Sequence, residues 1–347
     1  MITRRSWAVA GAAATAALLL MPGTAHADKS PGGGSQGGAS TGGGREGQDI
    51  VSVVRYSGAV GGGGTAKGGG AMKPVGDWSP PACWYEPRTA EQFRDYVEDQ
   101  YERTVNTPGQ HSYAKAAVGM FRDKYKDGEY KDYNLKEKDK GNWWVAVQDE
   151  DRWMEDAAQA CDREPFWVEN GDRPPVDNAL DPELLAQLAY GRLRLPDTEV
   201  SLAPKGTTKV NLPTWAWLDK ATFKPLSATA SVDLPGLRIQ ATTTARPGSL
   251  KLDPGTGDAR THPASGVCAK NADGSVGEPY AKGKGDRIPP CGLTYLRASG
   301  KGAYDLRATV TWNVSWKGTG AEGADLPDGE FGAEQPVTVE EIQAVNR

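Results

Sequence analysis

Between residues 304 and 316 apolar and polar side chains alternate without a break. Tyr304, Leu306, Ala308, Val310, Trp312, Val314 and Trp316 share one parity; Asp305, Arg307, Thr309, Thr311, Asn313 and Ser315 share the other. A period of two places one set on each face of a β-strand, one against a core and one in water. The chain must therefore contain a sheet able to receive a long strand. Shorter candidates lie at 210–217, 228–232, 237–244, 293–296 and 336–342, with Gly and Pro between them. That spacing predicts an antiparallel sandwich of roughly seven strands over residues 199–347.

Upstream, over residues 77–198, the period changes and a loop-rich, mainly helical domain is expected. Thr89-Ala90-Glu91-Gln92 has the form of a capping box, and Phe93, Tyr96, Val97 and Tyr101 follow on one helical face. Tyr113, Ala117, Phe121 and Tyr125 recur at four-residue steps, as do Trp153, Ala157 and Cys161. Asp181-Pro182 supplies an N-cap and an N1 proline ahead of Leu184, Leu185, Leu188 and Ala189, with Gly191 placed to end the helix. Residues 130–133, 143–147 and 166–168 read as short strands or packed loops, which periodicity does not separate.

The N-terminus reads as an export signal: Arg4 and Arg5, an apolar stretch over 7–21, then Ala25-His26-Ala27, a small-x-small site with cleavage expected after Ala27. Thr3-Arg4-Arg5-Ser6-Trp7 partly matches a twin-arginine signal, so both export routes stay open. No later segment approaches the roughly 20 apolar residues of a spanning helix, so no transmembrane anchor is expected in the mature chain. From Asp28 to about Gly76 the chain is Gly-rich and reads as a flexible leader. Within it residues 50–56 have strand character, suited to extend a neighbouring sheet or a partner's.

Four cysteines in an exported chain favour bridges over thiol chemistry. Three pairings are open. Cys83 with Cys161 and Cys268 with Cys291 is the favoured one, because each pair then stays within one compositional region. The second pair would close a loop of about 23 residues, worth roughly 3 kcal/mol in the chain-entropy model. Loss of Arg4 and Arg5 with the signal takes the net charge from -5 to -7. No basic block tracks phosphates, so no nucleic-acid partner is expected. Only His111 and His262 remain among the histidines of the mature chain, and no cofactor or metal site is assigned.

At this point a resemblance enters. Residues 210–217, 252–258 and 289–295, with the strand ending in Trp312-Asn313-Val314-Ser315-Trp316, resemble exported proteins of actinobacteria, Streptomyces-like, that carry a C-terminal PKD- or immunoglobulin-like sandwich. Pro80-Pro81-Ala82-Cys83-Trp84-Tyr85-Glu86-Pro87 is similar to the proline-rich Cys-Trp opening of the preceding region in that group. The resemblance implies an α+β chain with an Ig/PKD-like C-terminal domain, and implies no activity. Some similar chains are named enoyl reductases. The residues argue against that name, since the Gly runs sit in polar low-complexity sequence rather than between a strand and a helix.

The remaining candidates are weighed by chemistry. Trp84, Trp143 and Trp144 are the aromatics best placed in sequence to meet a sugar ring or a protein partner. Glu150 with Asp151, or Glu169 with Asp172, are acid pairs of the kind a glycosidase uses, yet such pairs arise by chance among 45 acids. Asn271, Asp273, Ser275 and Glu278 have oxygens at calcium-like spacing, but Gly274 sits where a plain Asp-Gly turn would put it. No Gly-x-Ser-x-Gly elbow occurs, and no catalytic residue is assigned. The expectation is an exported binding or assembly protein of the envelope or extracellular space, acting on a protein partner. The alternative is a cell-wall or other glycan held by exposed tryptophans, and a secreted hydrolase or a reductase ranks below both.

Overall fold

The computed structural model describes residues 54–58, 70–196, 199–220, 222–285 and 287–342. The expected signal peptide, its cleavage at Ala27, residues 50–53 and the glycine runs up to residue 64 lie outside the described residues.

The alternating run forms the strand Tyr304–Gly318, inside an eight-stranded sheet. It pairs antiparallel with Leu237–Asp253 on one side and Ala321–Glu340 on the other. Leu226–Leu234 follows outside Leu237–Asp253, joined to it through a turn in which Gly236 has φ 73°. Leu306, Ala308, Val310, Trp312 and Val314 are buried, whereas Asp305, Arg307 and Asn313 are exposed, as a period of two requires. In the neighbouring strand the register shifts between Pro247 and Ser249. Inward positions therefore move from Ala241, Thr243 and Ala245 to Leu250 and Leu252, and the apolar face continues past the bulge. Gly248 sits at the bulge, where a Cβ would lie 2.5 Å from Asn313 Oδ1 and would have to displace that exposed side chain.

A second, four-stranded sheet has the order Ala259–His262, Gly292–Tyr295, Thr214–Trp217, Ser201–Ala203, all antiparallel. Its buried Leu202, Ala216, Leu293 and Tyr295 share one core cluster with Leu250, Leu252, Leu306 and Val310 of the long sheet. Tyr295 stacks on Tyr304 with ring centroids 5.1 Å apart. The bridge Cys268–Cys291 ties the two sheets, since Val267–Ala269 pairs with the long sheet and Cys291 immediately precedes Gly292–Tyr295. Together these sheets form a β-sandwich.

Toward the other end of the long strands the helix Pro182–Arg192 takes the place of the second sheet. Its Asp181 cap accepts a hydrogen bond from Leu184 N at 2.8 Å, and Leu184, Leu185, Leu188 and Ala189 are buried as the sequence predicts. The helix runs one residue beyond Gly191. Thr243 Oγ1, on the sheet, donates to Ala186 O at 2.7 Å. The core cluster thus crosses residue 198 without interruption.

Residues 77–198 are more mixed than a mainly helical reading allows. The capping box is present in both directions, Thr89 N to Gln92 Oε1 at 2.9 Å and Gln92 N to Thr89 Oγ1 at 3.2 Å, and it opens the helix Ala90–Asn106. A second helix spans Ser112–Lys126, of which only Tyr125 is buried. Before and after them in sequence come the strands of a three-stranded antiparallel sheet, Cys83–Arg88, Gly141–Gln148 and Phe166–Glu169, with Gly141–Gln148 central. The expected helical segment through Trp153, Ala157 and Cys161 is absent; turns and the single 3-10 turn Asp156–Gln159 occupy it. It has no N-cap bond, and Cys161 is held at Cys83 by the first bridge, Cα–Cα 6.0 Å.

The described part of the expected leader is built into the sheet. Arg55–Gly58 pairs antiparallel with residues 228–231 at one edge, and Lys73–Pro74 pairs with Gly329 and Glu330 at the opposite edge. Val54 and Met72 enter the core. Two glycines serve close approach here: a Cβ on Gly70 would meet the Phe331 ring, and one on Gly329 would meet Met72.

Candidate functional site

The three tryptophans nominated from sequence are buried. Trp143 is 0% exposed, stacks on Phe93 with centroids 4.2 Å apart, and donates from Nε1 to Tyr133 O at 2.9 Å. Trp144 points to the opposite face, into the main core. Trp84 is buried beside Glu86, whose carboxylate lies 3.5 Å from the indole nitrogen. The reason is the central position of Gly141–Gln148. Both faces of that strand are covered, so adjacent rings on opposite faces both point inward and neither meets a ligand.

Glu150, Asp151, Glu169 and Asp172 are all on the surface. His111 is an exposed residue preceding a helix, and His262 Nε2 lies 3.0 Å from Thr294 Oγ1. Burial, with help from Arg260, pushes the His262 imidazole below its usual pKa. Among the described residues no three His, Cys, Asp or Glu side chains converge as metal ligands.

Two surface features carry large or polar groups in a held geometry. The first is the segment after Gly141–Gln148. Asp149 N donates to Ala82 O at 2.8 Å, and Asp151 N donates to Asp149 Oδ1 at 3.0 Å. Arg152 grips Glu155 (Nη2 to Oε2 2.7 Å) while also reaching Pro80 O and Ser79 Oγ. Gln159 Nε2 donates to Trp153 O at 2.9 Å, Ala158 is fully buried, and Cys161 closes the segment onto Cys83. Held at both ends and in the middle, the loop leaves Trp153 45% and Met154 77% exposed. An aromatic and an adaptable thioether on a backbone already held in place are the side chains that interfaces favour, because little further backbone entropy is lost on contact. Exposed Glu150, Asp151 and Asp156 flank them in sequence.

The second feature is a cleft of about 690 Å3 at the end of the strand Thr214–Trp217 of the four-stranded sheet. Trp217, half-buried at the end of Thr214–Trp217, lines it together with Asp219, Lys220, Asn271, Asp273 and Glu278. Lys220 Nζ donates to Asp273 Oδ2 at 2.7 Å, and Ser275 N donates to Asp273 Oδ1 at 3.0 Å. Hydrogen bonds from Lys220 and Ser275 hold the Asp273 carboxyl far below its usual pKa. Asn271 Nδ2 donates to Ser275 Oγ and Gly277 O, and Lys284 pairs with Glu278. The residues at calcium-like spacing therefore make a turn around Gly274, φ 81°, with Asp273 turned to its own loop and to Lys220. Gly277, φ 75°, lets the loop lie on the sheet, since a Cβ would stand 2.4 Å from Ala216 O.

Neither feature stands out in the sequence. Trp153 fits a four-residue apolar spacing by coincidence, and Trp217 fits a strand. The one signal for Trp153 was its setting, since acids crowd 149–156 where an amphipathic helix would carry an apolar stripe. No family model, curated protein or solved structure matches this chain.

Proposed function

We propose that this is an exported binding or assembly protein of the cell envelope or extracellular space, acting through protein–protein contacts rather than catalysis. The observation that carries this reading is the Trp153–Met154 pair, exposed on a loop braced by Arg152, Gln159 and the Cys83–Cys161 bridge. Two disulfides fit an oxidising, non-cytoplasmic compartment, and no helix among the described residues is long and apolar enough to cross a membrane. The strand near Val53, attractive in sequence as a strand donated to a partner, has its described part paired in cis. Protein contact is therefore assigned to the loop. The sandwich half is assigned to the Ig/PKD-like type implied by the resemblance, a fold common in adhesive and spacer modules by analogy only.

The test is cross-linking of the disulfide-bonded protein to native envelopes, with Trp153→Ala/Met154→Ala alongside. Both substitutions lie on the surface, so folding should be retained. A defined partner captured by the parent and lost in the double variant supports the reading; the same capture by both proteins sinks the loop as the contact. Glycan binding is the second reading, favoured by the Trp217 cleft.

A further inference from the structure

We propose that the Trp217 cleft binds a neutral oligosaccharide. The site is separate from the Trp153 loop in sequence and sheet, and the proposal does not depend on the protein-contact reading. Its size lies inside the roughly 300–1,000 Å3 of small-ligand clefts. Its chemistry selects the ligand class. Lys220 is paired with Asp273, and Glu278 with Lys284 beyond the lining, while Asp219 accepts from Thr222 N and Oγ1 in its own turn. Both cations are paired and the balance is slightly negative, which disfavours an anion, and among the described residues no three ligating side chains converge on a metal ion.

What such a site offers is a donor and an acceptor side by side next to an indole. A sugar hydroxyl both donates and accepts, and neighbouring hydroxyls on a ring repeat that character at hydrogen-bond spacing. The ammonium of Lys220 and the carboxylate of Asp273, 2.7 Å apart, present the matching pair. The carboxylate is fixed in place by Ser275, and Asn271 by Ser275 and Gly277, so the polar groups are oriented before a ligand arrives. Trp217, a half-buried lining residue, supplies the large apolar side chain against which the C–H face of a sugar ring would pack. A proline-rich peptide would also use an aromatic ring, but it has few hydroxyl-like groups to engage the ion pair.

The experiment is calorimetric and tryptophan-fluorescence titration of the disulfide-bonded protein with three probes: β-1,4-linked N-acetylglucosamine tetramer, and β- and α-1,4-linked glucose tetramers. At least one should bind, with an affinity that changes little with added salt, since no net charge is neutralised. Trp217→Ala and Lys220→Ala should each weaken it about tenfold or more. Lys220 is 67% exposed, so its variant should keep the parent's circular dichroism and melting temperature even if Trp217→Ala folds poorly. The proposal is overturned if none of the three binds at millimolar concentration, or if binding survives Lys220→Ala undiminished. Binding of a polyproline peptide that Trp217→Ala abolishes, without sugar binding, would likewise overturn it and assign the cleft to peptides.

Discussion

Around Trp143 the core is made of rings, whereas the strands beneath the Pro182–Arg192 helix meet it with small side chains. Phe93, Tyr125, Tyr130 and Trp167 all approach the Trp143 indole within 5.6 Å between centroids. Polar tips of that cluster are satisfied at its rim: Tyr133 Oη donates to Glu98 at 2.6 Å and Tyr125 Oη to Pro165 O at 3.0 Å. Under the helix, by contrast, Ala186 and Ala189 meet strands carrying Ala230, Ala241 and Ala245, all fully buried. The backbones come close enough for Thr243 to hydrogen-bond a helix carbonyl. Rings fill volume and tolerate some distance between backbones. Alanines bring the backbones together and leave no room for error.

The largest expected effect falls on the aromatic side. Trp143→Ala should cost about 3–5 kcal/mol in urea unfolding, by lost burial and the cavity left behind. Trp153→Ala, on the exposed loop, should shift stability by no more than about 0.5 kcal/mol. Equal costs for the two would break the distinction between core and surface tryptophans.

Next come the bridges. Cys83→Ser/Cys161→Ser opens a closure of 78 residues and should cost about 4 kcal/mol; Cys268→Ser/Cys291→Ser opens one of 23 and should cost about 3 kcal/mol. Parallel thermal melts of the two double variants check the order, and a reversal would mean that the inter-sheet bridge does more than shorten the unfolded chain.

On the alanine seam, Ala241→Leu should cost about 1–3 kcal/mol by overpacking, and Thr243→Val about 1 kcal/mol by loss of the bond to Ala186. A neutral Ala241→Leu would show that the helix can lift from the sheet. Denaturant midpoints for the two variants suffice.

The smallest effect is the pH dependence at the rim of the aromatic cluster. Burial alone would raise the Glu98 carboxyl, but hydrogen bonds from Arg122, Tyr133 and Lys126 outweigh it and hold the pKa at about 2. The folded value lies below the unfolded one. Its contribution is therefore complete above about pH 4.5 and is lost as pH falls toward 2, about 1 kcal/mol after solvent screening. Glu98→Gln should flatten that part of the acid-unfolding curve; an unchanged slope would show that the network adds nothing.

The two regions also differ in how far they could be read before folding. Thr89 and Gln92, Asp181 and Pro182, and the Leu184–Leu188 spacing mark helix ends and faces through local hydrogen bonds and a local period, and the structure keeps them. The strand Tyr304–Gly318 was equally plain. The favoured cysteine pairing is the one formed. Less could be read from Trp143-Trp144, where two adjacent rings suggest that one must face outward. That inference assumes a strand with one covered face. Gly141–Gln148 has two, because a helix pair lies on one side and the main core on the other, and both arise from residues far along the chain. Of the Gly-rich leader, the described residues 54–58 and 70–76 differ from a free segment for a related reason: Gly70 is where the chain crosses the Phe331 ring.

The sequence by itself determined the long sheet strand, the helix starts at Thr89 and Asp181 and the oxidised cysteine pairs, because dihedral preference and side-chain period are local properties. Tertiary structure alone decided which tryptophans meet solvent and where the strand at Arg55 pairs. It also set Lys220 beside Asp273 across 53 residues of chain. Burial and juxtaposition depend on what covers the second face of an element, and no local pattern encodes that.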